Sequence, residues 1–208
     1  GSGPEDAALL ARLAALPAAG GPHEAGAARA LAALAQYLQG FARLEAGGSV
    51  EEARSTWRSL GFLEAWKVIG PFDNERGGQF LTELGPEKEL RLDATYDGKK
   101  RAVAWRALPA VPIGGRVDFA ALFEPSEQCL AYALTFVRAA RETDAALRFG
   151  TDEGFRVWVN GVLVSSKDVH RQAGFDQDAA GIRLGEGWSS ILIKSAQSTG
   201  SWELTARL

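Results

Sequence analysis

Residues 151–161 read TDEGFRVWVNG, and VLVSS follows at 162–166. Strict alternation sends Phe155, Val157 and Val159 to one face of a strand and Arg156, Trp158 and Asn160 to the other. Asn160-Gly161 then supplies two residues that tolerate positive φ, as a type I′ turn needs, and that turn has the twist of the strands it joins. Asp152 and Glu153 precede Gly154, where a carboxylate can hold nearby backbone N–H groups as an Asx-type turn. The stretch is a β-hairpin, and no ligand is needed to explain it.

The same signature continues on both sides. KRAVAWRAL, QCLAYALTFVRA, DAALRFG, GIRL, WSSILIKSAQ and SWELTARL are short, rich in β-branched and aromatic residues, and separated by turn residues. No helix of useful length interrupts them, which excludes parallel crossover units. Residues 64–208 therefore predict an antiparallel β-sandwich. Within WKVIGPFDNERGGQF, Pro71 is expected to end the first strand, because it cannot continue a ladder, and DNERGG to form a loop.

Residues 1–63 follow a different period. PEDAALLARLAAL predicts a helix that starts after Pro4 with acidic residues in its first turn and stops before Pro17. PAAGGPHEAG, including His23, reads as a loop. In EAGAARALAALAQYLQG, Leu31, Leu34, Leu38 and Phe41 recur at steps of three or four and share one helix face. SVEEARSTWRSLG has Ser49 and Glu52 at capping-box spacing, and Gly61 marks its end. The fold class expected is α+β, with an N-terminal helical hairpin region before the sandwich. The small residues of GGSVEEARSTWRSLG resemble tetratricopeptide-type repeats. A solenoid fragment and a helical cap on the β-domain are both compatible with the pattern.

Composition excludes several function classes. The hydrophobic fraction of 46% and charged fraction of 24% are those of an ordinary globular protein. With a net charge of −3 and both signs scattered, no basic footprint for nucleic acid is present. No apolar run approaches the roughly 20 residues that span a bilayer. The single cysteine, Cys129, rules out an internal disulfide and a cysteine metal cluster, and its setting in QCLAYALTFV predicts a small core hydrophobe. The leading Gly-Ser-Gly reads as an appended tag with no bearing on the fold.

GTDEGFRVWVNGVLV together with DQDAAGIRLGEGWSSILIKSAQ resembles the galactose-binding-like jelly roll. That fold includes the sugar-binding domain of family 2 glycoside hydrolases and many carbohydrate-binding modules. The shared pattern is a Trp-Val-Asn-Gly hairpin, then a leucine, a Gly-x-Gly-Trp turn and an Ile-Leu-Ile-Lys strand. WKVIGPFDNERGGQF is similar to the opening of such modules in large bacterial proteins, where tetratricopeptide helices precede the sandwich and a transglutaminase-like domain can follow. The resemblance implies an exported protein of the cell envelope, periplasm or medium. Ser189 departs from the pattern, since similar modules carry Asn after the Trp.

Three kinds of site follow for consideration. Asp73, Asn74, Glu75, Asp152, Glu153, Asp176 and Asp178 fall in expected loops and offer the oxygen ligands calcium prefers, with Asp152 and Glu153 the foremost metal candidates. The resemblance implies one structural calcium, although Asp and Asn in turns explain the same residues without any cofactor. For a sugar, Trp158 offers a stacking ring, and the polar 165–178 loop SSKDVHRQAGFDQD offers His170, Arg171, Asp176 and Asp178 as a binding rim. For catalysis, Ser165, Ser166, Asp168 and His170 are near one another, yet no nucleophile elbow or zinc-binding His pair accompanies them. GGRVDF and GEGW lack phosphate-loop spacing and read as turns.

The function expected is a non-catalytic binding or scaffold segment whose helices and sandwich meet protein partners. The alternative is a carbohydrate-binding module for envelope or extracellular glycans.

Overall fold

The computed structural model describes residues 4–15 and 22–208. It is α+β and forms two compact units. One comprises the helical residues up to Phe62 with Ile113–Gly115 and Arg207; the other holds the remaining residues from Leu63 onward.

The helical unit contains α1 (Pro4–Ala14), α2 (Pro22–Glu45) and α3 (Val50–Ser59). The capping box forms as its sequence requires: Glu52 N donates to Ser49 Oγ at 3.2 Å and Ser49 N to Glu52 Oε2 at 3.3 Å. Helix α2 takes in the second half of the expected 17–26 loop, because Pro22 at its first position forfeits only an N–H that the helix would leave unpaired. The first half of that loop, to residue 21, lies outside the described residues. The leucine face is not what α2 buries. Ala35, Tyr37 and Gly40 are buried, whereas Leu31, Leu34 and Leu38 are exposed. Trp57 of α3 packs against Phe41 with ring centroids 4.9 Å apart, and its indole N–H donates to Tyr37 O at 3.0 Å.

The second unit is built from β1 (Lys67–Asp73), β2 (Thr95–Asp97), β3 (Ala102–Ala104), β4 (Arg106–Ala107), β5 (Arg116–Asp118), β6 (Cys129–Ala139), β7 (Thr143–Thr151), β8 (Phe155–Val159), β9 (Val162–Lys167), β10 (Asp178–Leu184), β11 (Gly187–Gln197) and β12 (Glu203–Arg207). One sheet has the order β4-β1-β6-β11-β8-β9, the other β10-β7-β12-β5, and β2-β3 form a separate hairpin. Strands β11 and β6 pair antiparallel over eleven residues, from Gly187↔Ala139 to Gln197↔Cys129. The hairpin at Asn160-Gly161 forms with φ of 48° and 79°. Pro71 does not end β1 as expected. The strand runs on to Asp73 through a register shift between Ile69 and Phe72, so the residue lacking an N–H sits at the irregularity and not in the ladder.

Alternation divides the apolar residues between two cores. Cys129, Ala131 and Ala133 of β6 and Ile191 and Ile193 of β11 face Leu147, Phe149, Ile182 and Leu204 of the opposite sheet. The other face of the large sheet carries Leu130, Tyr132, Leu134, Trp158 and Leu192, packed with Ile69, Phe72, Phe80 and Val103 into a second core. This outer core encloses charge. Lys194 is 0% exposed, and its ammonium donates to Glu87 Oε1 at 2.8 Å, Thr82 O at 2.9 Å and Gln79 O at 3.3 Å. Tyr132 Oη donates to the same Glu87 oxygen at 2.5 Å, and Arg156 Nη1 lies 3.2 Å from Glu87 Oε2. A buried Lys is tolerated only with such partners. The knot ties the segment around Glu87 to the sheet and so covers part of the outer face.

Candidate functional site

Around Asp152, Glu153 and the 165–178 loop, most of the charged side chains expected at the rim are paired with one another or with neighbouring strands. Asp178 is buried beside Lys167 and Arg171, each of which donates to one of its carboxylate oxygens. Burial alone would raise its carboxyl; the hydrogen bonds from the two cations outweigh that and hold it below the usual carboxylate range. Arg171 also reaches Thr151 O and Oγ1, and its guanidinium lies 5.6 Å from the Phe155 ring centroid. Asp176 faces Arg148 at 3.6 Å. The loop is seated closely on β7: a Cβ on Gly150 would lie 1.9 Å from Gly174 O.

The residues expected as metal ligands do not converge on a vacant position. Asp152 is buried and accepts from Ser201 Oγ at 2.7 Å; desolvation raises its carboxyl, and that hydrogen bond offsets only part of the rise. Glu153 takes φ of 62°, accepts from Ser198 N at 2.7 Å and lies 3.5 Å from His170 Nδ1. Asp73 and Glu75 both face Lys99 Nζ, at 3.2 and 3.5 Å, and Asn74 Oδ1 accepts from Gln79 N at 3.2 Å. Each of these side chains thus already meets a protein donor or cation. Among the described residues no group of three or more His, Cys, Asp or Glu side chains is arranged to hold a metal.

Glu153, Asp168 and His170 do come together, lining a recess of about 360 Å³ with Asn74, Phe80 and Gln197. Trp158 is not among them. It is 8% exposed within the outer core, with Arg156 5.1 Å from its ring centroid, so its face is unavailable for stacking.

The exposed aromatic pair lies elsewhere. The outer face of the large sheet is only partly covered, and its open end carries Phe136 of β6, 41% exposed, and Trp188 of β11, 68% exposed. Register explains the placement. Trp188 is opposite Arg138 and Ser190 is opposite Phe136, so the two rings share a face on neighbouring strands, one pair out of step. Lys67 is opposite Leu134, which puts it on that face too. Together with Leu134, Pro109, Val111 and Glu64, these residues line an open, mainly apolar recess of about 650 Å³. Aromatic faces bordered by polar side chains can hold a sugar ring, with C–H groups against the rings and hydroxyls toward the rim.

Trp188, Phe136, Lys67 and Arg138 are absent from the residues singled out by sequence. A signal did exist for the Trp. Ser189, Ile191 and Ile193 alternate inward, which assigns Trp188 to the face of Ser190 and Lys194. The departing Ser189 is buried, and its Oγ accepts from Asn160 Nδ2 at 3.2 Å, tying the β8–β9 turn to β11.

No protein-family model and no curated protein matches this chain. Among solved structures it is similar to the PA14 domain of the MpAFP antifreeze protein, at 15% identity and TM-score 0.33, over 38% of this chain and 41% of that one. It is also similar to an anti-sigma factor domain-containing protein, at 19% identity and TM-score 0.39, over 49% of this chain and 35% of that one. A β-glucuronidase from Ruminococcus gnavus, in complex with D-glucaro-δ-lactam, aligns at 18% identity and TM-score 0.40, over 65% of this chain and 21% of that one. The chain thus spans less than half the length of each. At these TM-scores the likenesses carry no function to this chain, and the antiparallel sandwich rests on its own strand register.

Proposed function

We propose that the chain is a non-catalytic glycan-binding segment that acts outside the cytoplasm. The observation that carries this reading is the open recess bordered by Trp188 and Phe136, two large aromatics left exposed on a sheet whose outer face is elsewhere largely covered around Trp158, Tyr132 and Leu192. An exposed apolar patch rimmed by polar residues is a recognition surface more often than an accident of packing. The absence of catalysis is part of the proposal. What supports it is the state of the reactive side chains: the Cys129 thiol is buried and pushed up to about 11, and His170 is set against Glu153 at the protein surface.

A glycan-array screen of the purified chain tests this reading. Reproducible binding that is lost in Trp188→Ala is the expected result, and a blank array sinks it. A second reading, protein assembly, is favoured by one separate observation, the exposed Leu31, Leu34 and Leu38 on α2. If that face meets a protein, Leu34→Ser with Leu38→Ser abolishes the association and leaves array binding unchanged.

A further inference from the structure

The recess is bordered by positive charge as well as by aromatic rings. Lys67 lies opposite Leu134, two residues from Phe136 along β6, and Arg138 lies two residues beyond Phe136 on the other side. All of these side chains leave the sheet on one face. At about 3.3 Å per residue, the two cations are staggered by about 13 Å along the strand, with Phe136 between their levels. Arg138 is also directly across from Trp188. Among the described residues neither Lys67 nor Arg138 has an ion-pair partner, in a chain whose net charge is −3. Lys99, Lys167, Arg171 and Lys194, by contrast, each meet a carboxylate. Two unpaired cations flanking an aromatic surface are complementary to a ligand that brings its own anions.

We propose that this surface selects acidic polysaccharides, chains in which uronic acid rings stack on Phe136 and Trp188 while their carboxylates meet Lys67 and Arg138. The inference rests on the glycan-binding reading above and adds its ligand class. Arg138 suits a carboxylate, since a guanidinium can donate to both of its oxygens from one plane. Lys67, at the start of β1, contributes a point charge at the other end. The ligand is an internal stretch of chain, because the recess is open and the charges are staggered along it. Binding weakens as salt screens the two exposed contacts.

The test is titration of the full chain against polygalacturonate, against the same polymer after chemical reduction of its carboxyl groups, and against polyglutamate. Tighter binding to the acidic polymer than to its reduced form is expected. The difference should shrink by about tenfold in Lys67→Gln/Arg138→Gln, the scale of two exposed ion pairs, and return in Lys67→Arg/Arg138→Lys. Equal binding of both sugar polymers, abolished by Trp188→Ala, overturns the acid preference and leaves the glycan platform standing. Polyglutamate binding as tight as polygalacturonate overturns the sugar assignment, as does acidic binding that survives Trp188→Ala. Binding of none of the three, with a blank glycan array, removes both proposals.

Discussion

Lys194 of β11 and Glu87 of the short helix Gly85–Lys88 meet at 2.8 Å across 107 positions of sequence, and both side chains are closed off from solvent, at 0% and 2% exposure. Glu87 also faces Tyr132 and Arg156, so it is the one anion among two cations and a phenol. Its removal leaves both positive charges uncompensated in an apolar setting. Glu87→Gln is expected to lower stability by about 3–5 kcal/mol. Lys194→Met combined with Glu87→Leu, which removes the pair together, should recover part of that loss. Urea unfolding of the three proteins measures it.

Two carboxylates of the rim should respond to acid in opposite ways. Asp178 is held below its ordinary range, so it contributes stability above its unfolded pKa that is lost as pH falls through the folded value. Asp152 is raised, so its contribution is complete below the unfolded pKa and is lost as pH rises through the folded value. Asp178→Asn should therefore cost about 1.5–3 kcal/mol at neutral pH, the worth of hydrogen bonds to a charged group, with the deficit closing in acid. Asp152→Asn should equal or exceed the parent protein at neutral pH and lose that advantage in acid. Thermal unfolding from pH 3 to pH 8 distinguishes these signs.

Replacing a helix-interior glycine by alanine ordinarily gains about 1 kcal/mol. Gly40 should do the reverse. A Cβ there would lie 2.4 Å from two atoms of the Trp57 indole, whose N–H is fixed on Tyr37 O. Gly40→Ala is expected to destabilise by about 1–3 kcal/mol, as overpacking does. A rise in melting temperature would show that α2 and α3 separate without cost.

Cys129 is 0% exposed, donates to Glu127 O at 3.0 Å, and has its thiol pushed up to about 11, chiefly by burial. Native protein at pH 8 should resist iodoacetamide and react promptly once unfolded in urea. Fast alkylation of the native state would contradict this placement.

The Asn-Gly hairpin, the face alternation of β8, the capping box and the position of Cys129 are all legible in sequence, because each depends on neighbours a few residues away. Glu87 and Lys194 are not, since only the fold brings them together. The rim residues were identifiable as polar loop positions, yet their mutual pairing, such as Asp178 between Lys167 and Arg171, depends on how the loop returns to β7. Trp158 and Trp188 show the limit most clearly. Both occupy the outer face of the large sheet, and local pattern cannot say that one end of that face is covered and the other open.

That difference separates stability from binding. Trp158→Ala should cost about 3–5 kcal/mol, the range for a large buried aromatic, whereas Trp188→Ala should change stability by no more than about 0.5 kcal/mol. The most direct measurement of where a ligand sits is hydroxyl-radical labelling, read by mass spectrometry at Trp188 and at His170 and Phe175 of the 165–178 loop, with and without a glycan that binds. Protection of Trp188, with the 165–178 loop unchanged, is the result expected from the open recess. Protection of that loop while Trp188 stays reactive would place the ligand at the rim and contradict the account.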